Sequence, residues 1–137
     1  MQSNTKVICI QPTGAPAMTL SWRAKQVIQT ETIDTIADGV AGRHPIPEVL
    51  QDLLEVADVA YLVQEASIIE GMRLLYRHAG LVTEPSAALG IAAVLENKPA
   101  FQGQRIASII CGSNVSLDDF ENWGCLGSDP RPESLGQ

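Results

Sequence analysis

The chain has 137 residues, of which 45% are hydrophobic and 18% are charged, and its formal net charge at pH 7 is −7. This length suits one domain with a real hydrophobic core, and the composition is typical of a folded protein rather than a disordered one. Nine Lys and Arg residues are scattered among sixteen Asp and Glu. Nucleic-acid binding is therefore not expected, because phosphate contacts require clustered basic side chains.

Two further classes are also disfavoured. No apolar run reaches the roughly 18 residues of a membrane span, and the N-terminus lacks the order of a signal peptide, so we expect a cytoplasmic protein without a membrane partner. The cysteines Cys9, Cys111 and Cys125 are odd in number, with no CxxC pair and no histidine at ligand spacing. This pattern indicates reduced thiols rather than a disulfide framework or a zinc site.

The first half of the chain alternates strand and helix signals. Residues 7–10 are mostly β-branched and precede Pro12-Thr13-Gly14, which predicts a buried strand ending in a turn. A helix is predicted over residues 17–28, with Pro16 in its first turn. A break at Asp38-Gly39 follows, and the next helix begins at Pro47.

The second half continues the alternation. Residues 58–63 predict a second strand, and the amphipathic helix after it ends at Gly80. Residues 87–95 are apolar on every side and predict a buried helix with Ser86 as its cap. Residues 106–111 predict a third buried strand.

A short helix over residues 116–123 closes the predicted domain. We therefore divide the chain into an α/β domain, residues 1–123, and a flexible polar tail, residues 124–137. Strands that alternate with helices predict a short, mainly parallel sheet of about three strands flanked by helices. Three strands are few for such a sheet, which indicates that part of the fold is missing.

The tip of the third predicted strand is a candidate binding site. Gly112-Ser113-Asn114 follows the strand directly, and ligands of open parallel α/β sheets bind beyond the carboxyl ends of the strands. The alternative is an ordinary loop, because Gly, Ser and Asn are common turn residues. The strand pattern by itself leaves both interpretations open.

Four blocks, in this order, resemble one enzyme family: VICIQPTGAPAM, TIADGV, LVTEPSAALGIAAVL and SIICGSNVSLDDFENW. The chain resembles the C-terminal part of fold type II pyridoxal-phosphate enzymes, specifically the threonine dehydratase and serine racemase group, over nearly its whole length up to Trp123. The resemblance implies a partial fold type II domain.

The resemblance also implies a cofactor site. Cys111 matches the residue beside the pyridine nitrogen, and Gly112 and Asn114 match the rest of that strand tip. Gly39 matches a glycine whose backbone approaches the ring, and Glu84 matches a glutamate near the cofactor. Without the resemblance, these would be a small buried hydrophobe at a strand end, a turn glycine and a first-turn acid favoured by the helix dipole.

The chain departs from the family at several positions. Ser113 replaces the second glycine of the strand tip, and Gln11 and Ala17 replace the two acids that hold a divalent metal in serine racemase relatives, so we expect no metal site. The Schiff-base lysine, the substrate-carboxylate region and the phosphate-binding glycine loop have no match. The three lysines, Lys6, Lys25 and Lys98, lie outside any such motif.

Three functional interpretations follow. The first is a catalytically incomplete remnant with no catalytic residues and no cofactor of its own, which forms a homodimer or larger homo-oligomer to cover its exposed surface, including part of residues 87–95, and binds at most a small ligand. The second is the C-terminal subunit of a split hydroxy-amino-acid ammonia-lyase, which binds pyridoxal phosphate only when an N-terminal partner chain completes the site. The third is a truncated reading frame without a selected activity.

Overall fold

The computed structural model describes residues 4–126. Strands and helices alternate along this part of the chain, which confirms the predicted α/β class. The elements are β1 (Ile8–Pro12), α1 (Ala17–Ala24), a first 3-10 helix (Asp38–Val40), α2 (Pro47–Val56), β2 (Val59–Val63), α3 (Glu65–Ala79), a second 3-10 helix (Pro85–Ala88), α4 (Leu89–Glu96), α5 (Lys98–Phe101) and α6 (Leu117–Asn122).

The two strands form a parallel sheet. Ile8 lies opposite Val59 and Pro12 lies opposite Val63. At the amino end, the Val7 amide donates to the Asp58 carboxylate over 2.8 Å. Helices α1 and α4 each pack against both strands, and α1 packs on α2 while α4 packs on α3. The sheet is thus flanked by helices, as predicted.

The third predicted strand, residues 106–111, is wrong. Within residues 4–126 the sheet contains β1 and β2 alone, and the predicted strand lies outside any helix, turn or sheet. Ile106 is 49% exposed and Ile109 is 84% exposed, so the segment is not buried either. A strand exists only through its hydrogen-bonded neighbours, and the described chain offers this segment no neighbouring strand.

Two predicted helices differ in detail. Helix α1 ends at Ala24 rather than residue 28, because Lys25 adopts a left-handed conformation (φ 56°) and the Ser21 hydroxyl oxygen accepts from the Ile28 amide over 2.8 Å. The apolar stretch 87–95 is divided between the second 3-10 helix and α4. Ser86 is not its cap, because its side chain makes no capping hydrogen bond and α4 begins further on, at Leu89.

Helix α3 was predicted correctly, including its end. Gly80 adopts the left-handed conformation (φ 67°), and its amide donates to the carbonyls of Leu75 and Tyr76. Gly71 allows α3 to approach the chain near Ala88, because a β-carbon on Gly71 would lie 3.1 Å from the Ala88 carbonyl oxygen. This close approach brings α3, the second 3-10 helix and α4 into one packed unit.

The C-terminal end of the described chain packs on α3. Phe120 is fully buried, and its ring meets Tyr76 edge to face at a centroid distance of 5.6 Å. The Arg73 guanidinium donates to the carbonyls of Trp123 (2.6 Å) and Gly124 (3.2 Å). The predicted tail lies mostly outside the described residues, but Cys125, which we assigned to it, is only 3% exposed and belongs to the core.

Within residues 4–126, no helix is both long enough and apolar enough to cross a membrane. The cytoplasmic location stays a prediction. Cys9, Cys111 and Cys125 are all free thiols.

Candidate functional site

The loop that carries Gly39 is held at the carboxyl ends of both strands. From the end of β1, the Gln11 side-chain amide donates to the Val40 carbonyl over 3.3 Å. From the start of α3, directly after β2, the Glu65 carboxylate accepts from the Ile36 amide over 3.0 Å. Ala37 between them is fully buried. The side chains that follow the two strands therefore fix the first 3-10 helix, and Gly39 with it, beside the sheet.

Glu84 joins this region to the segment that follows residue 111. Its carboxylate accepts from the Asn114 amide over 3.1 Å, and its own amide donates to the Gly112 carbonyl over 3.2 Å. Because Glu84 has an extended backbone immediately before Pro85, its side chain and its amide both remain free of the following helix. One residue thus fastens the predicted strand tip through two hydrogen bonds.

Both predicted glycines lie where a neighbouring side chain comes close to the backbone. A β-carbon on Gly112 would overlap the Glu84 carboxylate. A β-carbon on Gly39 would lie 2.8 Å from the Ser86 hydroxyl oxygen and 3.6 Å from a Glu84 carboxylate oxygen. The space beside each glycine is therefore filled by Glu84 or Ser86. This physical reason differs from the crowding against a cofactor ring that the family resemblance implies.

The structure brings together four of the five predicted site residues: Gly39, Glu84, Gly112 and Asn114. Cys111 directly precedes Gly112, but its side chain is exposed rather than buried at a strand end. Its predicted contact with a ring nitrogen stays a prediction. Gly39, Cys111 and Asn114 are all exposed to solvent, whereas Glu84 is half-buried, so a ligand can reach this cluster.

Two hydroxyls at this site have no hydrogen-bond partner within the described residues. The Ser86 Oγ and the Thr83 Oγ1 are both buried, and Thr83 is only 2% exposed. Buried hydroxyls are normally paired, so unpaired ones require an explanation such as a ligand or another chain segment. Both oxygens are closed to solvent here, so a polar ligand such as pyridoxal phosphate would instead contact the exposed residues Gly39, Cys111 and Asn114. Thr83 and Glu65 were not predicted as site residues, and Ser86 and Gln11 were assigned other roles, because only the folded chain shows their contacts.

The lysines lie elsewhere. Lys6 precedes the amino end of β1, Lys25 follows the last residue of α1, and Lys98 begins α5; all three are exposed. None forms a hydrogen bond or ion pair with the Glu84 cluster, by which we mean Gly39, Glu84, Gly112 and Asn114. The cluster, by contrast, lies on the side where the carboxyl ends of the strands hold the Gly39 loop.

The metal-matching positions also have other roles. The side-chain oxygen of Gln11 accepts a hydrogen bond from the Thr19 amide over 2.8 Å, and this pairs one of the free amides at the start of α1. Ala17 is fully buried. Across residues 4–126, no three side chains among His, Cys, Asp and Glu are grouped so that they could hold a metal ion.

An apolar groove adjoins the Gly39 loop. It encloses about 300 Å³ between α1, the loop and α2, and its walls include Met18, Val40, Ile46 and Val49, with Gln11 at one end. The side chain of Ile46 is 58% exposed and that of Val49 is 47% exposed. The groove could accept only a small, mainly apolar group, and it was not predicted from the sequence.

Burial perturbs two thiols, neither of which belongs to the Glu84 cluster. Desolvation raises the pKa of Cys9 in β1. Desolvation also raises the pKa of Cys125, where the nearby Arg73 acts in the opposite direction and Glu70 adds to the increase. These thiols are therefore structural groups rather than activated nucleophiles.

Comparison with known proteins gives a consistent result. The family model described as pyridoxal-phosphate dependent enzyme matches residues 1–112. The beta-hydroxyaspartate dehydratase of Paracoccus denitrificans is 33% identical over 116 residues, which make up 83% of this chain and 36% of the relative. The crystal structure of the T.th. threonine deaminase matches at a TM-score of 0.77 and 32% identity, over 82% of this chain and 41% of that one.

Serine racemase of Dictyostelium discoideum also matches, at a TM-score of 0.72 and 30% identity, over 83% of this chain and 36% of that chain. The 137 residues thus correspond to little more than a third of these relatives. The match to the family model extends over more than half of the chain, and both the sequences and the folds agree with it. The chain therefore belongs to the pyridoxal-phosphate-dependent enzymes, as a partial fold type II protein of the threonine dehydratase and serine racemase group.

Proposed function

We propose that these 137 residues form the part of a dehydratase-type pyridoxal-phosphate site that lies beside the cofactor ring. We also propose that they do not catalyse elimination by themselves. Gly39, Gly112 and Asn114 would contact the cofactor, with the exposed Cys111 beside its ring nitrogen, and Glu84 would position Gly112 and Asn114. Two hydrogen bonds and one close approach support a retained site: Glu84 with Asn114, Glu84 with Gly112, and the Ser86 hydroxyl beside the position of a β-carbon on Gly39.

Bound pyridoxal phosphate supplies an electron sink for reactions at the Cα of an amino acid. The residues of this chain would bind and orient it. A thiol such as Cys111 carries no negative charge when protonated, so it would not favour a protonated ring nitrogen as a carboxylate would. Glu84 would act at a distance, by holding Gly112 and Asn114 in place.

One observation carries the proposal that the chain is inactive alone: no lysine of the described residues lies in the site. Lys6, Lys25 and Lys98 are exposed on other elements. In this group of enzymes a lysine both attaches the cofactor and moves the proton at Cα. Without a lysine at the Glu84 cluster, the described residues offer no amine there that could both attach the cofactor and move that proton.

The test is to add pyridoxal phosphate to the purified chain, reduce with borohydride and locate any lysine adduct by mass spectrometry, alongside an assay for ammonia release from serine and threonine. We expect weak labelling spread over the three exposed lysines, equal in the parent and in Glu84→Ala, and no ammonia. The full-length Paracoccus relative serves as the active control. Ammonia release by the isolated chain, or one labelled lysine that depends on Glu84, would refute the proposal.

A second candidate is the C-terminal subunit of a split ammonia-lyase for hydroxy amino acids. The exposure of Cys111 and Asn114 favours it, because the site is open on that side and a partner chain could complete it there. Affinity capture from the source cell would test this candidate. Recovery of a lysine-bearing partner with a glycine-rich loop, and ammonia release by the reassembled pair but not with Glu84→Ala, would support it over the first.

We further propose that the chain self-associates as a homodimer or larger homo-oligomer. Apolar side chains are exposed at several places: Ile109 is 84% exposed, Leu117 66% and Ile46 58%. A two-fold axis can join identical patches of this kind. Light scattering at micromolar concentrations is expected to give a mass above that of one chain, and a stable monomer would contradict this part of the proposal.

A further inference from the structure

Residues 105–111 have the composition of a strand and the surroundings of an exposed edge. They lie in a stretch, residues 104–116, that contains no helix, turn or bend. The segment passes over α4, where the Ser108 side chain occupies the space that a β-carbon on Gly90 would fill. Ile109, the next residue, points away and is 84% exposed. One side of the segment therefore rests on α4 while the other faces solvent.

The backbone of this segment is unpaired. Backbone hydrogen bonds flank the segment: the Gln104 amide donates to the Phe101 carbonyl (3.1 Å), and the Glu84 amide donates to the Gly112 carbonyl (3.2 Å). Within residues 4–126, the amides and carbonyls of residues 105–111 form no backbone hydrogen bond. Its three isoleucines, Ile106, Ile109 and Ile110, favour β structure. An exposed, unpaired row of amides and carbonyls with such side chains is a template for pairing with another strand.

The charges at the two ends of the segment are complementary. Arg105 stands at its start and has no ion pair among the described residues. At the other end, Glu84 is bonded to the Asn114 amide, and Asp118 and Asp119 follow in the first turn of α6. An antiparallel arrangement of two such segments would bring the basic end of each one close to the acidic end of the other.

We propose that residues 105–111 pair in antiparallel with the same residues of a second copy, about a two-fold axis at Ile109. In this register Ile109 meets its own counterpart, Ala107 lies opposite Cys111, and Arg105 lies opposite Ser113. Residues that lie opposite each other have β-carbons about 4.5–5.5 Å apart and contribute directly to pairing. This inference rests on the self-association proposed above, and it names the segment responsible.

A two-fold axis makes the same surface serve both copies. Each copy would supply the amides and carbonyls that the other lacks, and Arg105 of each would approach the carboxylates near Asn114 of the other. A strand from an unrelated polypeptide could supply the backbone hydrogen bonds, but it would not carry an acidic group opposite Arg105 and a basic group opposite the carboxylates near Asn114. The charge pattern therefore favours a second copy of this chain.

Disulfide capture tests the register. Ala107→Cys is expected to form, under mild oxidation, a bond between position 107 of one copy and the native Cys111 of the other, and hence a covalent dimer on a non-reducing gel. A bond within one copy is excluded, because four residues of extended chain span roughly 13 Å, far beyond the reach of a disulfide. Two controls should stay monomeric on the gel: Ala107→Cys with Cys111→Ser, and Val56→Cys, whose parent residue is also exposed.

A second, non-covalent measurement is needed, because oxidation can also cross-link two copies that collide only by chance. Ile109→Lys would place two like charges opposite each other at the axis and is expected to weaken the dimer roughly tenfold or more by light scattering. Val56→Lys, on α2, should leave the dimer unchanged. Amide exchange of residues 106–111 should slow as the concentration of the parent chain rises.

Each outcome either supports or refutes the proposed pairing of residues 105–111. Capture at Ala107→Cys together with weakening by Ile109→Lys supports the inference. A dimer whose residues 106–111 exchange freely, and in which Ala107→Cys is captured no better than Val56→Cys, overturns it while leaving self-association intact. A monomer at all concentrations refutes both. Protection of residues 106–111 only after another polypeptide is added also overturns it, by identifying a different occupant.

Discussion

Glu84 makes the contacts on which the candidate site depends. Its carboxylate and its amide bind two successive parts of the chain, at Asn114 and at Gly112, and one of its carboxylate oxygens lies near the position of a β-carbon on Gly39. A half-buried carboxylate that accepts a backbone hydrogen bond forms a stronger contact than a neutral acceptor would. The arrangement therefore depends on the Glu84 side chain and on the absence of a side chain at Gly39 and Gly112.

Gly112→Ala tests this arrangement. The added β-carbon would overlap the Glu84 carboxylate, which must move aside and lose its bond to the Asn114 amide, so we expect the free energy of unfolding in urea to fall by about 0.5–1.5 kcal/mol, the net contribution of one hydrogen bond. Gly42→Ala is the matched control, because a β-carbon there meets nothing within 4 Å and the backbone needs no positive φ. It should change stability little, or slightly increase it.

A double-substitution cycle assigns the cause. Glu84→Ala removes the carboxylate that the new β-carbon would meet, so Gly112→Ala should cost much less in that background. If the two substitutions are additive instead, the clash between residues 84 and 112 is not the reason for the glycine. The clash argument would then be wrong, although the glycine could still matter for another ligand or segment.

Among the elements, α6 shows how a short helix is held at both ends. The Ser116 hydroxyl oxygen accepts from the Asp119 amide over 3.0 Å and also contacts the Asp119 carboxylate. Phe120 enters the core, and Arg73 on α3 binds the carbonyls of Trp123 and Gly124 just after the helix. A helix of six residues is too short to be stable alone, so these tertiary contacts are what maintain it.

Ser116→Ala should cost about 1 kcal/mol of unfolding free energy, within the ~0.5–2 kcal/mol range of N-cap losses, because the Asp119 amide loses its acceptor. Urea unfolding followed by tryptophan fluorescence measures this, since Trp123 directly follows α6. Ser113→Ala is the control: it removes an exposed hydroxyl three residues earlier and should be close to neutral. Equal effects of the two substitutions would contradict the capping role of Ser116.

The elements also differ in how far the sequence predicts them. Helix α3 has a regular apolar face and a glycine that ends it, so its bounds follow from local pattern. Helix α1 ends four residues early, because the Ser21 hydroxyl bonds to the Ile28 backbone, and no periodicity contains that contact. The strand predicted at residues 106–111 has the right side chains but no neighbour within residues 4–126, and pairing is a property of two segments rather than one.

The residues of the candidate site also differ in how far the sequence predicts them. The resemblance to the family located Gly39, Glu84, Gly112 and Asn114, and the fold brings these four together. It did not locate Gln11 and Glu65, whose side chains hold the Gly39 loop, because an amide and a carboxylate at strand ends are common in any sequence. Cys111 was expected to be buried in a strand and is exposed instead, because that strand does not form.

For the whole molecule, the C-terminal end of the described chain contributes to the core, and this makes its stability depend on pH. Burial raises the pKa of Cys125 above the value of about 8.5 that an unfolded thiol has. The folded chain therefore holds this proton more tightly than the unfolded chain. The resulting stabilisation is complete below about pH 8.5 and is lost as the pH rises through the folded-state pKa.

We expect urea unfolding to give a lower free energy at about pH 10 than at about pH 7.5, and Cys125→Ala to reduce that difference. The Ala variant is also less stable overall, because it leaves a small cavity, so the comparison concerns the pH dependence and not the absolute value. Cys9→Ala should reduce the difference as well, since burial raises the pKa of Cys9 too. If both variants keep the full pH dependence of the parent, the thiols are not its source.

The parallel pairing of β1 with β2 also affects how the chain is made. Ile8 pairs with Val59, so β1 is synthesised about fifty residues before its partner strand. Until then, its backbone amides and apolar side chains have only water or α1 to contact, and long-range pairing of this kind forms slowly. Nascent chains that end before β2 should thus be the ones that chaperones retain and proteases cleave, whereas chains that include β2 can close the sheet.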